Sequence, residues 1–349
     1  MLAPALREEY GLSLTEIGVV LAAELIGLTF VLLPWGFAVD RHGERWTLAA
    51  GLAGCAAFLA AAAFAPSFGW LVAFLGLAGV AGGSVQSGSG RAVMRWFAAS
   101  ERGLALGVRQ TAVPVGGAVA ALAIPLLGSP RAGLLFVAGF VLLGALLGAL
   151  LLRAGTEEHL EPADVEITLR DRRLWLACWG SGLYLVAQVA MMGFVVLFLH
   201  DEHGFSTGQA AAVFAAGQVL AAALRIGVGR WSDVVRSRVG PLRLIGVVVA
   251  VSLGLVAALA GASGWLLVPA LAAATGLSMA WNGLSYTIAA ELGGRRSGAA
   301  IGFQQTVLSG IGVVAPVGFA AAVSASSWAA AFALAGLFPL AGAWLLRSL

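Results

Sequence analysis

Ionisable and polar side chains interrupt long apolar stretches at a handful of places, and those places are where chemistry could be carried. Arg109, followed by Gln110 and Thr111, lies about two turns into an apolar run. A guanidinium that far from a helix end is too deep for easy snorkelling, and its planar fork suits a carboxylate or phosphate. It could anchor an anionic solute, or serve as a structural partner for Glu24 or for helix-end carbonyls. Glu24, itself far from either end of its run, could exchange a coupling proton or act as a permanent counter-ion. Gln86 and Arg91 add polar groups upstream of Arg109, with Arg91 one turn from Arg95 and placed to snorkel or, second, to touch a solute; Arg225 reads the same way. Further along, Trp281, Asn282, Ser285 and Tyr286 form one cluster and Gln304, Gln305 and Thr306 another, while Tyr184 and Gln188, four apart, share a helix face. Interhelical hydrogen bonding explains any one of these; the set suggests a polar cavity.

What must position them is a membrane. The chain has 349 residues, 60% apolar and 11% charged, with a mean hydropathy of +0.95, well beyond a soluble domain. Apolar runs occupy 14 to 38, 46 to 65, 70 to 97, 102 to 127 and 131 to 153, then 174 to 199, 206 to 229, 240 to 262, 265 to 291, 296 to 323 and 327 to 348. Each can cross a ~30 Å hydrocarbon layer as helix. The stretch 154 to 173 between the two groups is polar and charged and reads as a linker. Ser13-Leu14-Thr15-Glu16 has capping-box spacing at the start of the first run. All 20 basic residues are arginine, concentrated in short loops, so the net charge of +3 reflects orientation rather than a nucleic-acid surface. Placing the loop at 40 to 45 inside gathers nearly all of them on the cytoplasmic face, with the C-terminus. Cys55 and Cys178 sit within apolar runs as small core residues. His200-Asp201-Glu202-His203 reads as a solvated turn rather than a metal site, and no cofactor is expected.

The runs also repeat. Gly36-Phe37-Ala38-Val39-Asp40-Arg41-His42-Gly43-Glu44-Arg45 recurs 193 residues on as Gly229-Arg230-Trp231-Ser232-Asp233, with Arg236 as the trailing arginine. Gly11-Leu12-Ser13 returns as Gly204-Phe205-Ser206 at the same offset, and Gly107-Val108-Arg109-Gln110-Thr111 returns as Gly302-Phe303-Gln304-Gln305-Thr306 at 195.

The decapeptide resembles the Gly-x-x-x-Asp-Arg-x-Gly-Arg-Arg loop of the major facilitator superfamily, matching at Gly36, Asp40, Arg41, Gly43 and Arg45 and departing at Glu44. The resemblance spans nearly the whole chain. It implies an all-α polytopic membrane protein made of two pseudo-symmetric bundles, residues 1 to 153 and 174 to 349, joined by the linker at 154 to 173. Against the family's twelve helices the sequence offers eleven, five plus six, and the repeat arithmetic makes the first helix the absent one: a misassigned start, a fragment or a true loss. The implied activity is secondary transport of a small solute by alternating access across the plasma membrane, by a monomer. Arg109 favours an organic anion; a proton-coupled drug or metabolite exporter and a non-transporting scaffold or sensor are the alternatives. The resemblance further implies that Asp40 sits at a helix start near Ser297 and Gly298, and Asp233 near Arg102 and Gly103, as gate latches with Gly229. A carboxylate there is favoured by free amides and the helix dipole.

Overall fold

The computed structural model describes residues 6, 9–12, 14–152 and 169–349. The capping box at Ser13 and most of the linker lie outside the described residues. Among the described residues the regular structure is helical, with no strand. Nine segments among the described residues are long and apolar enough to cross a bilayer, the longest, Gly264–Ala325, running through two of the expected helices.

Seven of the expected spans are single helices, although the ends differ. They are α1 (Leu14–His42), α2 (Glu44–Ala62), α7 (Pro130–Leu151), α10 (Thr207–Val234), α11 (Val239–Ala258), α14 (Ser297–Ala325) and α15 (Trp328–Leu345). Four are broken, which corrects the continuous runs read from hydropathy: α3 (Phe68–Gly82) and α4 (Ser84–Trp96); α5 (Arg102–Gln110) and α6 (Ala112–Ala123); α8 (Arg172–Gly182) and α9 (Tyr184–His203); α12 (Gly264–Ser278) and α13 (Asn282–Gly293). Two breaks have a cause in the sequence. Gly82 and Gly83 weaken the first, where the Trp35 indole donates to the Val80 carbonyl at 2.6 Å. At the second, Pro114 has no amide hydrogen to give to the carbonyl of Gln110, four residues earlier.

The chain divides into two compact units. The first comprises Met1–Trp96, Val113–Glu166 and Gly293–Thr306; the second comprises Phe97–Ala112, Ile167–Leu292 and Val307–Leu349. Segments 97–112 and 293–306 thus belong to units other than those of their flanking sequence.

Lipid tails are as apolar as leucine, so such helices cohere by close packing rather than by apolar burial. In the first unit a Cβ on Gly79 would stand 2.0 Å from the Glu24 carbonyl oxygen, and one on Gly27 2.0 Å from that of Gly76, so α1 and α3 touch backbone to backbone. In the second unit Gly229 and Gly103 do the same for α10 and α5. The second unit also holds an aromatic cluster of Phe194, Phe198, Phe319, Trp328 and Phe332. Trp265, 90% exposed at the start of α12, suits a membrane interface.

Candidate functional site

One hydrogen-bonded chain in the second unit joins both of its broken transmembrane segments. It starts at Gln188 on α9, whose amide oxygen accepts from Asn282 Nδ2 at 3.0 Å. Asn282, at the start of α13, also donates to the carbonyl of Met279 in the α12/α13 break, at 3.0 Å. That oxygen accepts a second hydrogen bond, from Arg225 Nε at 3.1 Å. Arg225 Nη1 then reaches the Gln110 carbonyl at 2.9 Å, the oxygen that Pro114 leaves without a helical donor. Arg109, the neighbouring residue, lays its guanidinium 4.6 Å from the ring centroid of Tyr286, which is 3% exposed, and donates to the Gln110 side chain at 3.0 Å. Stacking of this kind contributes roughly 0.5–2 kcal/mol.

Arg225 is 8% exposed and forms no ion pair with a carboxylate among the described residues. A guanidinium at the centre of a spanning helix costs about 2.5–3.5 kcal/mol. Two carbonyls at helix ends, where the macrodipole favours a cation, offset part of that. The snorkelling read from the sequence is therefore corrected: the side chain turns inward because two helix breaks supply it with acceptors. Gly107, whose Cβ would lie 2.5 Å from the Arg225 backbone oxygen, lets α5 come close enough for this reach.

Of the sequence candidates, Arg109, Gln110, Gln188, Asn282 and Tyr286 come together here. Trp281 lies beside them in sequence, fully buried, with its indole N–H lacking an acceptor among the described residues and its ring edge-on to Tyr184 at 6.0 Å. Tyr184 is a correction. It is fully buried, its hydroxyl donates to the Leu242 carbonyl at 3.0 Å, and Gly246 and Gly342 close over its ring; it packs into the core of the second unit. Gln86, Gln304 and Gln305 belong to the first unit; Gln86 and Gln305 are half-buried and Gln304 fully buried. Glu24 is exposed on α1, with no hydrogen bond or ion pair among the described residues. His200 and His203 each face a backbone carbonyl, of Phe205 and Ala260, and α9 runs on to His203 rather than turning at 199.

The motif carboxylates form two latches. Asp40 accepts from the amides of Gly298 at 3.0 Å and Ala299 at 2.8 Å, at the start of α14, and is ion-paired with Arg91. Arg91 also donates to the Arg295 carbonyl at 2.7 Å and lies 4.0 Å from Glu44, so the reading of Arg91 as snorkelling or solute-binding gives way to a latch role. Gly36 permits the approach: its Cβ would be 2.5 Å from the Gly298 oxygen. Asp233 accepts from Gly103 at 3.0 Å and Leu104 at 2.8 Å, at the start of α5, with Gly229 in the role of Gly36.

The arginine closing this second latch is Arg238, not Arg236. Arg238 binds Asp233, Ser232, Glu291 and the Ala99 carbonyl, whereas Arg236 is exposed with φ 51°. Arg41 is also exposed, and Arg45 ties the loop to the end of α7 by donating to the Ala149 carbonyl at 2.7 Å. Gly43 supplies the turn at φ 80°.

These features can be set beside known proteins. The family model described as Major Facilitator Superfamily matches residues 1–316. An uncharacterised MFS-type transporter of Mycobacterium tuberculosis is 36% identical over 312 residues, 87% of this chain and 70% of that protein. A hexuronate transporter of Bacillus subtilis is 28% identical over 141 residues, 40% of this chain and 33% of that one. Among solved structures, the E. coli fucose:proton symporter aligns with a TM-score of 0.77 at 16% identity, covering 96% of this chain and 91% of its own, a likeness of fold. With the family model across most of its length and a relative above one-third identity, the chain belongs to the major facilitator superfamily of multi-pass membrane transporters.

Proposed function

We propose that the chain is a secondary active transporter of a small organic anion, working by alternating access between bundles 1 to 153 and 174 to 349 in the plasma membrane, as a monomer with a cytoplasmic C-terminus. The observation that carries this reading is the Arg109 guanidinium, stacked on buried Tyr286 beside a helix break and continuous with the Gln110, Arg225, Asn282 and Gln188 network. A cation on an aromatic face, among amide donors and acceptors, is suited to a carboxylate attached to a hydroxylated body. The hexuronate transporter among its relatives handles a solute of that chemistry. Substrate binding then biases the rocking of one bundle against the other, and the Asp40 and Asp233 latches hold one end of the cycle.

The test is flux into proteoliposomes of labelled D-glucuronate, citrate and benzoate, for the wild type and Arg109→Gln. Loss of one charge-assisted contact should slow anion flux by roughly tenfold or more; unchanged flux removes the anion reading. A second reading, a proton-coupled exporter, is favoured by Glu24, a carboxylate on a spanning helix without an ion partner among the described residues. It gains if Glu24→Gln abolishes flux driven by a pH gradient while Arg109→Gln is tolerated.

A further inference from the structure

Arg225 presents a second cation, and its surroundings do not account for all of it. Its Nε and Nη1 are taken by the Met279 and Gln110 carbonyls, whereas Nη2 has no partner among the described residues. The side chain is nine-tenths buried. Capping carbonyls needs only neutral N–H donors and does not by itself call for a charge in the membrane. The charge and the third nitrogen are what remain to be explained. The carboxylates in the ion pairs of the second unit, Asp233 and Glu291, are both held by Arg238 in the latch. A buried guanidinium with a spare N–H edge is complete once an anion arrives from outside the protein. Its Nη1 already rests on the carbonyl of Gln110, the residue next to Arg109.

We propose that Arg225 is a second cationic arm of that site, so that the carboxylate of the transported organic acid is held between two guanidiniums on different helices, α5 and α10. The inference rests on the anion reading of Arg109 and adds to it that charge selection is shared. Because Arg225 is fixed by two backbone carbonyls before any ligand binds, it is pre-positioned, and little side-chain freedom remains to be lost on binding.

The test uses the full-length protein in detergent and reads binding of D-glucuronate, citrate and benzoate, each beside its amide, by ligand-induced thermal stabilisation. The wild type should bind at least one acid and prefer it to its amide. Arg225→Gln, whose amide nitrogen stands where Nε does and can still cap the Met279 carbonyl, should weaken that acid by about tenfold or more and leave its amide within about twofold, so that the acid-to-amide preference collapses. A merely structural role would weaken acid and amide alike and leave the ratio standing, and that result overturns the inference. If Arg109→Gln destroys the preference while Arg225→Gln keeps it, the second arm is refuted and the anion reading survives. Both fall if no acid binds the wild type, or if neither variant changes the ratio. Should Arg225→Gln not fold, Arg225→Lys decides: it keeps the charge but not the fork, so weakening of the acid by about threefold or more with the amide unchanged supports the arm, and wild-type affinity for the acid refutes it.

Discussion

The two latches solve one problem with different parts. In both, an aspartate four residues after a glycine caps the start of a distant helix with a pair of amides, at matching distances of 3.0 and 2.8 Å. Their cations differ. In the first latch Arg91 is supplied by α4, and a second acid, Glu44, is shared between Arg91 at 4.0 Å and Arg95 at 3.1 Å. In the second, one residue just beyond α10, Arg238, is the only ion-pair partner described for both Asp233 and Glu291. The carboxylate on a helix N-terminus is thus the part the repeat preserves. One latch distributes its positive charge over two arginines and the other concentrates it in one.

Concentration makes the second latch the more fragile. Arg238→Gln strands two acids at once, one of them with a fully buried side chain, and removing one partner from such a group costs about 3–5 kcal/mol. Arg91→Gln strands Asp40 alone, because Glu44 keeps Arg95, and should cost roughly half as much. Unfolding of the two variants in the same detergent measures the difference, and equal losses would show that the second arginine of the first latch shares nothing.

Glu44 sharpens the same contrast. It stands where the family loop carries the first of its paired arginines, yet it is 1% exposed and turned to Arg95. If it is the acid that lets two arginines share one latch, Glu44→Gln should cost about 1–2 kcal/mol, less than Arg91→Gln, because Asp40 still holds Arg91. A larger loss than that of Arg91→Gln would make Glu44, and not Asp40, the acid on which the first latch depends.

How far these features are legible before any coordinates depends on whether their cause is local. Asp40 and Asp233 are readable because a repeated Gly-x-x-x-Asp and repeated small residues at the receiving helix starts are sequence facts. Arg238 is readable too, if the offset is kept: 193 residues from Arg45 lies Arg238, while 193 from Gly43 lies Arg236. Taking the first arginine after Asp233 instead of the register gives the wrong residue. Arg225 is half legible. Pro114 four residues after Gln110 announces a stranded carbonyl, but nothing in the sequence says that α10 passes beside it, and the break at Met279 has no glycine or proline of its own to mark it. Tyr184 is illegible in this sense, since its hydroxyl finds the Leu242 carbonyl only through packing between α9 and α11.

The smallest effect tests the register itself. Gly43 and Arg236 occupy the same place in the two copies and both have a positive φ, 80° with an extended ψ of 161° at Gly43 and 51° at Arg236. For a residue with a Cβ a positive φ costs roughly 1–3 kcal/mol, and glycine adopts it freely. Gly43→Ala should therefore destabilise by about 1 kcal/mol or more, whereas Arg236→Gly should stabilise, by at most about 1 kcal/mol, since glycine's larger unfolded-state entropy returns part of the gain. Arg236 is exposed, so its charge contributes little that the glycine would forfeit. Opposite signs for the two substitutions would show that positive φ is borne freely by glycine in the first copy and at a cost by arginine in the second. A loss at Arg236→Gly as large as that of Arg91→Gln would instead return the trailing arginine to the latch and displace Arg238 from it.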